Sequence, residues 1–596
     1  MMFSIISILV FFEIANAADS KALPTQWINL LYYSKDGDSY KSLVTNDGFF
    51  LTKEGKTNPI VEYQATKAMI ISAMRSKQPI PERVKKFNCR FPARYEFIIK
   101  ENDLTPQKIL CPEFQTWKDS FEADGLSVLF ASQYLTNPAS AMGHTYLRIK
   151  SKNRALYLNK VISYSAHIPD ETGTFEYAFK GITGGFKGFF SEDPYYFKFH
   201  EYSNIEQRDL WEYHLTLTQA QLDSYLMHLW ELIQSAQFNY LFATENCSKM
   251  LLRSLQVVYK DINLVEQMPT LALPAEAMRV LQNSKFVSEI TFYPSPASLV
   301  NEKYSQLSKK DKMNFLEVIQ GNKLDQLELL DLAIDYYNFM RNSNGGKLSS
   351  SSQIVLNKLL VARSKFKNSN PIERIKGISP IHEANPPSRF GFGFGRIKEE
   401  NYISLQFRPL AHDLLDKLNA FLKYSIVSLL DLKIKIFQDS YIGIDHLTLV
   451  SLQKLSSYEF ASKDFSWGIN ATIESSEEYR CRKCYRFVLN PNWGIGKEYI
   501  KKTTGWILFD PKFNFGNIEK HYSHEPAVTI LNIIELSKWR IINSIRPYLY
   551  IDHQVYSDYS LKLILNRDIH YTFELSTKYN TQNKSQTSEF NLFTYF

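Results

Sequence analysis

The sequence predicts a multidomain α+β chain that ends in an antiparallel transmembrane β-barrel of about twelve strands. Three observations predict it. The chain has 596 residues, and single hydrophobic cores stop growing near about 250–300 residues. Its aromatic content is 14%, with 36 Tyr and 41 Phe, which is high for a soluble enzyme. Its hydrophobic periodicity also changes along the chain, from mixed helical and strand patterns to sustained alternation after Ser388. The net charge of +7 is mild for this length, and no Lys/Arg cluster is dense enough for a nucleic-acid surface, so no nucleic-acid partner is expected.

The elements follow in order. Met1 to Phe12 is almost wholly apolar, and Ala15-Asn16-Ala17 supplies a small-x-small cleavage pattern, so residues 1–17 read as a signal peptide cut before Ala18. Glu13 interrupts the run and no basic residue precedes it, but the run is also short of the roughly 20 residues a membrane helix needs. No Cys follows the cleavage site, so the mature chain is not expected to be a lipoprotein. Residues 18–112 read as a small α+β cap, with helices over Gln26–Tyr33 and Val61–Arg75 and a loop over Cys89–Arg94. Residues 113–296 read as a separate α+β domain. Its expected strands are Leu126–Ser132, Thr145–Lys150 and Arg154–Ser165. Its expected helices are Ala220–Ser235 and one after Asn246, striped by Met250, Leu251, Leu255 and Val258. Residues 297–387 read as a Lys-rich helical connector, two helices joined by the turn Asn342–Gly346.

Residues 388–596 carry the alternation. Phe390, Phe392 and Phe394 alternate with glycines; Ile403, Leu405 and Phe407 with Ser404 and Gln406; Tyr571, Phe573 and Leu575 with Thr572 and Glu574. Such segments match the length and pattern of membrane β-strands. A soluble sandwich is the competing reading. Aromatics near the strand ends favour the barrel, as does a last alternating strand that finishes on Phe596. That ending resembles the signal read by the barrel assembly machinery.

Five cysteines fit an oxidising compartment. Cys89 and Cys111 can pair, and so can Cys481 and Cys484 of the CRKC string, which has no further ligands nearby for a metal. Cys247 is left over, a candidate nucleophile.

Two strings carry the chemistry. In the first, Asn137 to Arg148, Gly143 lets the backbone turn sharply into a strand that sets His144, Tyr146 and Arg148 on one face and Thr145 and Leu147 on the other. In the second, Phe238 to Ser248, Asn246 is a helix N-cap and Cys247 falls in the first turn, where the positive helix end favours a thiolate. An imidazole beside it lowers the thiol pKa further and shuttles the proton. A lone buried Cys is ordinarily core packing, and one of 12 His on a strand means little; together they stand at the element ends a thiol enzyme needs. Between the strings, Lys180 to Tyr196 is rich in Gly and aromatics and reads as a mobile flap suited to an acyl chain, or as a loop packed on the cap. Glu206, Arg208 and Asp209 read as a helix opening before Trp211, and His167, His200 and His214 as structural.

The order of His first and Cys second, on a helix start, resembles the circularly permuted papain-like thiol superfamily. More closely, NPASAMGHTYLRI and FNYLFATENCSKMLL resemble domain-of-unknown-function family 4105, which includes the N-terminal periplasmic domain of the lipoprotein N-acylation transferase Lnb. The resemblance covers Glu113 to Pro296. It implies a permuted papain-like domain with Cys247 as nucleophile and His144 as general base. The third polar residue would come from the next strand, Ser163 being the candidate and Asn159 the alternative. Asn246 and Tyr146 would support the site, and an oxyanion would be held by the Cys247 N–H and a nearby donor. No cofactor or metal is implied. The implied function is a cysteine-dependent acyltransferase or acyl hydrolase acting on phospholipid or lipoprotein substrates in the periplasm at the outer membrane. A cell-wall amidase or peptidase using the same dyad is one alternative. A non-catalytic barrel with partner-binding periplasmic domains is the other.

Overall fold

The computed structural model describes residues 23–75, 79–135, 140–169, 171–260, 262–271, 273–367, 378–418, 420–475, 484–516, 522–550 and 552–596. The signal segment, Asn137–Ala139 of the histidine string and Cys481 lie outside them.

The N-terminal unit has helix α1 (Thr25–Leu30), the hairpin β1 (Tyr33–Asp36) and β2 (Ser39–Ser42), then helices α2 (Pro59–Arg75), α3 (Glu82–Arg90) and α4 (Pro92–Glu101). The loop expected over Cys89–Arg94 is instead a junction of one residue, Phe91, between α3 and α4. Pro92 starts α4 because its missing N–H is unneeded at the first helical position. Cys89 is bridged to Cys111, 22 residues on, a closure worth about 3 kcal/mol.

The middle domain runs through α5 (Pro112–Asp119), β3 (Ala123–Ala131), β4 (His144–Ser151), β5 (Lys160–His167), α6 (Thr174–Thr183), β6 (Phe186–Pro194), α7 (Tyr195–Phe199), a π-turn (His200–Ile205), β7 (Leu210–Leu215), α8 (Gln219–Ser235), β8 (Phe238–Tyr240), α9 (Cys247–Leu255), α10 (Pro274–Asn283) and β9 (Val287–Tyr293). Its strands form a 7-stranded antiparallel sheet in the order β8-β6-β5-β4-β3-β7-β9. One face, with Val128, Leu147, Ile162 and Tyr164, packs against α8 and α9 in a core that continues into the N-terminal unit through Trp27, Phe49 and Ile98. The other face buries Leu129, Tyr146, Val161, Tyr195 and Tyr202 in a smaller core. The two N-terminal units therefore share one interior, sealed by the buried pair Arg94–Glu231 (3.0 Å).

Three local expectations fail in this domain. The strand expected from Arg154 starts at Lys160, because Leu156–Leu158 forms a short 3-10 turn first. The flap is not a loop: its first part ends α6, and Phe186–Pro194 is a strand paired to both β5 and β8. Phe186, Gly188 and Phe190 face inward there, and Gly188 is required because a Cβ would come 2.1 Å from the Tyr164 hydroxyl. Glu206 to Asp209 opens no helix; it leads into strand β7, and Arg208 is buried.

Among the described residues the connector has four helices rather than two: α11 (Pro296–Gln306), α12 (Lys309–Val318), α13 (Leu327–Ser343) and α14 (Ser350–Arg363). Ser295, Ser308 and Ser349 cap three of them, each accepting from the main-chain N–H three residues on, and these caps divide the segment. Phe315, Leu330 and Leu359 pack together with Phe460 of a barrel turn.

The last part is a closed ring of twelve antiparallel strands. They are β10 (Arg389–Ile397), β11 (Glu400–Arg408), β13 (Ser425–Phe437), β14 (Ile442–Lys454), β15 (Ser466–Ser475), β16 (Tyr485–Ile500), β17 (Thr503–Phe509), β20 (Val528–Leu536), β21 (Trp539–Leu549), β22 (Val555–Asn566), β23 (Tyr571–Asn580) and β24 (Ser585–Tyr595). β12 (Leu410–His412) pairs beside β13, and β18 (Lys512–Gly516) with β19 (Tyr522–Glu525) extends β16. The ring shuts where β10 meets β24. Its polarity is inverted. Phe390, Phe392, Phe394, Ile530 and Leu592 face outward and are exposed, while Lys433–Glu589 (2.5 Å), Lys562–Glu574 (3.0 Å) and Arg486–Glu474 (2.8 Å) pair inside. An apolar outside and a charged inside are stable only in lipid. The chain is an outer-membrane barrel carrying periplasmic domains. Among the described residues, no helix is long and apolar enough to cross a membrane.

Candidate thiol site

The site forms where two strands part. The β4–β5 ladder runs only from Leu147↔Ile162 to Ile149↔Lys160. Before it, β4 stays with β3 (Phe130↔Thr145, Ala131↔His144), while β5 continues along β6. Helix α9 packs against both β4 and β5. Asn246 caps α9: its Oδ1 accepts from the Lys249 N–H (3.3 Å) and from the Ser248 hydroxyl (2.7 Å), and its Nδ2 donates to the Phe242 carbonyl (3.1 Å).

Cys247 follows the cap and is 3% exposed; it is the free cysteine among the described residues. At its sulfur lie the main-chain N–H of Thr145, the hydroxyl of Tyr240 and the main-chain N–H of Ser248. The Tyr240 hydroxyl also accepts from the Cys247 N–H, so the main-chain donor expected for an oxyanion already has a phenol in front of it. Burial pushes the thiol pKa up, and these donors pull it only part of the way back. The lowered pKa expected from the helix end is thus overridden by desolvation.

His144 opens β4. Gly143, at φ +92°, makes the turn into the strand, and a Cβ there would strike the Phe130 ring at 2.5 Å. The imidazole packs by Tyr202 (centroids 5.6 Å) and Tyr146 (6.5 Å). Burial, with the nearby charges of Arg208 and Lys198, holds its pKa down to about 3. Arg208 is fixed by donating to the carbonyls of Ser132 (2.6 Å) and Ala131 (3.0 Å). Thiol and imidazole are therefore both neutral at rest. They approach β4 from its two sides: Thr145 faces the sulfur, and His144 lies with Tyr146. Tyr202 spans them, packed on His144 and close enough to Cys247 for the thiol to raise its pKa.

Ser163 lies on β5 beside Val161 and Tyr164, buried, its hydroxyl without a hydrogen-bond partner. Asn159 accepts from Arg148 Nη1 (2.8 Å), and Arg148 in turn is paired with buried Glu212, so Asn159 belongs to that network. Tyr146 is buried, and its hydroxyl also has no partner. Thr145, Tyr202 and Tyr240 were not anticipated. For Tyr240 a signal existed: Phe238 and Tyr240 alternate inward around Asn239 directly before the cap. Tyr202 arrives from a π-turn, 58 residues after His144 and 45 before Cys247, and nothing local marks it. Among the described residues no group of His, Cys, Asp and Glu could hold a metal.

With this geometry in hand, residues 113–284 match the family model of the Lnb N-terminal periplasmic domain. The middle domain is similar to that of Lnb. Flanking this Lnb-like domain, residues 22–101 and 380–595 match two domains of unknown function (DUF7843 and DUF7840). No curated protein matches the chain. Solved structures similar to the barrel part include the KdgM porin (11% identical, 35% of this chain and 99% of that chain, TM-score 0.24). Another is the outer membrane protein Omp33 of Acinetobacter baumannii (10% identical, 36% and 99%, TM-score 0.21). The barrel assignment rests on the strand pairing itself.

Proposed function

We propose that the protein is a cysteine-dependent acyltransferase or acyl hydrolase working on lipid or lipoprotein substrates at the periplasmic face of the outer membrane. The observation that carries this is the Cys247 setting: a lone thiol on a capped helix end, ringed by the Thr145 N–H, the Tyr240 hydroxyl and the Ser248 N–H, with Thr145 directly following His144 on β4. The match to the Lnb N-terminal periplasmic domain supports the chemistry.

Both groups rest neutral, so the first step moves a proton. In this reading the thiol proton passes to His144 by way of Tyr202, which packs on His144 and lies near Cys247, as sulfur attacks an ester carbonyl, and the alcohol of the donor leaves with that proton. The thioester on Cys247 then passes its acyl group to an amine or to water. In this reading Tyr240, beside the sulfur, donates to the developing oxyanion, and Ser163 is the candidate to orient the imidazole.

A specific contact favours lipid over cell wall. Ala141 and Met142, which lead into His144, pack with Leu135, Leu271 and Leu273 on Val427, Leu429, Leu452 and Trp467 of the barrel. Leu452 pairs with outward Ile469, and Trp467 lies two residues along the same face, so this wall continues the lipid-facing surface.

The test uses the full chain in lipid vesicles with a phospholipid bearing a labelled acyl chain. Wild type is expected to carry a hydroxylamine-labile label on Cys247. Cys247→Ser is expected to carry none, and His144→Ala to label at least about 100-fold more slowly, the usual weight of a general base. An unlabelled wild type, where a known thiol acyltransferase labels, refutes the reading. Turnover of muropeptides without any of phospholipid transfers the site to the amidase reading.

A further inference from the structure

We propose that the segment between β11 and β13 is a plug that closes the periplasmic end of the barrel, so that the barrel anchors the Lnb-like domain and passes no solutes. After β12, residues 413–418 and 420–424 turn across the ring. Their acidic side chains meet inward arginines of the first two strands: Asp413 pairs with Arg389 (2.8 Å) and Arg408 (3.1 Å), and Asp416 with Arg408 (3.0 Å). Their carbonyls are held from the far strands. Arg540 of β21 donates to those of Leu414 and Asp416, and Asn566 of β22 to that of Leu415 (2.7 Å).

Apolar side chains fill what remains. Leu415, Leu418 and Tyr424 pack in one cluster with Trp506 and Leu508 of β17, Ile533 of β20, Ile542 of β21, Ile564 of β22 and Phe593 of β24. In the ring, β21 lies six strands from β13 by either path, so a segment that leaves beside β13 and is held by Arg540 and Ile542 of β21 has crossed the lumen. Arg389, Arg408 and Asp416 are each no more than 1% exposed, so the ion cluster that ties the segment to the wall is buried. Buried ions held this way resist displacement, because freeing one partner strands the other in a dry interior.

The same segment is also a seat. Gln133 of the Lnb-like domain donates toward His412 (3.3 Å) and accepts from the Leu422 N–H (3.1 Å), while His412 stacks on Phe421 (centroids 4.1 Å). Plug and thiol domain are thus fixed to each other as well as to the wall.

The test is conductance of the purified full chain in planar bilayers. Wild type is expected to give no steady current above membrane leak. A variant with residues 413–422 replaced by Gly and Ser at equal length is expected to give stable open-barrel current. Its folding is checked by heat-modifiable migration. Should it fail to fold, the double variant Arg540→Ala, Asn566→Ala keeps every ring strand and is expected to flicker open. Steady current through wild type overturns the proposal, and so does a folded plug variant that stays silent. Cys247→Ser should behave as wild type in this assay, which separates its outcome from that of the acyl-transfer reading.

Discussion

The seven-stranded sheet of the Lnb-like domain and the twelve-stranded ring are both antiparallel and both alternate, yet they bury opposite things. In the first, apolar side chains lie on both faces, and buried charge is held in pairs such as Arg148–Glu212 within the sheet and Arg94–Glu231 between the helices packed on it. In the second, aromatic and aliphatic side chains point outward, and the interior is laced with Lys–Glu and Arg–Asp pairs. Alternation fixes which residues share a face; the solvent on each side fixes which face is the core. The same substitution should therefore have opposite consequences in the two sheets.

The largest expected effect is in the periplasmic part. Glu231→Ala leaves Arg94, 0% exposed, without its carboxylate, and should cost about 3–5 kcal/mol. Thermal unfolding should show the periplasmic domains melting earlier while the barrel keeps its heat-modifiable migration. A loss below about 1 kcal/mol would show that water reaches this pair, which breaks the contrast. Next comes the lipid face: Phe392→Lys at mid-strand should cost about 2–4 kcal/mol by denaturant titration in lipid. The inward Lys433→Met, which only opens a pair with Glu589 in a polar lumen, should cost less. Equal costs would mean the outer face is not against hydrocarbon.

A smaller, pH-dependent effect follows from His228. It is 0% exposed, stacked on Tyr32 with neither ring nitrogen hydrogen-bonded, and burial and Arg94 hold its pKa down to about 3. The unfolded chain takes up this proton near pH 6.5 and the folded one does not, so stability falls as pH drops from about 6.5 toward 3, by about 1.4 kcal/mol per pH unit. His228→Phe should flatten that slope by one proton. An unchanged slope would mean the ring is charged in the fold. The smallest effect concerns the thiol. Because burial raises the Cys247 pKa, its alkylation by iodoacetamide should keep accelerating above the ordinary thiol value of about 8.5. Tyr240→Phe removes a donor and should slow alkylation severalfold at fixed pH. A plateau near neutrality would reveal an ion pair with His144 instead.

Much of this architecture was legible in the sequence. Phe390, Phe392 and Phe394 alternating with glycines mark a membrane strand, and Asn246 before Cys247 marks a helix start; both signals are local and both features are present. What was not legible depends on distant partners. Phe186–Pro194 reads as a loop because Gly188 and the glycines just before it lower strand propensity, yet Tyr164 from the neighbouring strand needs the space above Gly188. The helix-end argument for a thiolate is sound in isolation, but a buried sulfur among tyrosines is governed by desolvation that no motif encodes. Tyr202 and Arg208 reach His144 by a turn whose position only the folded sheet defines.

The closing seam between β10 and β24 has a consequence for assembly order. The strands it joins are the first and last of the ring, so the cylinder stays an open ribbon until every other strand is laid down. The segment Leu410–Tyr424 precedes nearly all of them. It is therefore wrapped by the wall as the wall forms, and need never be threaded through a finished cylinder.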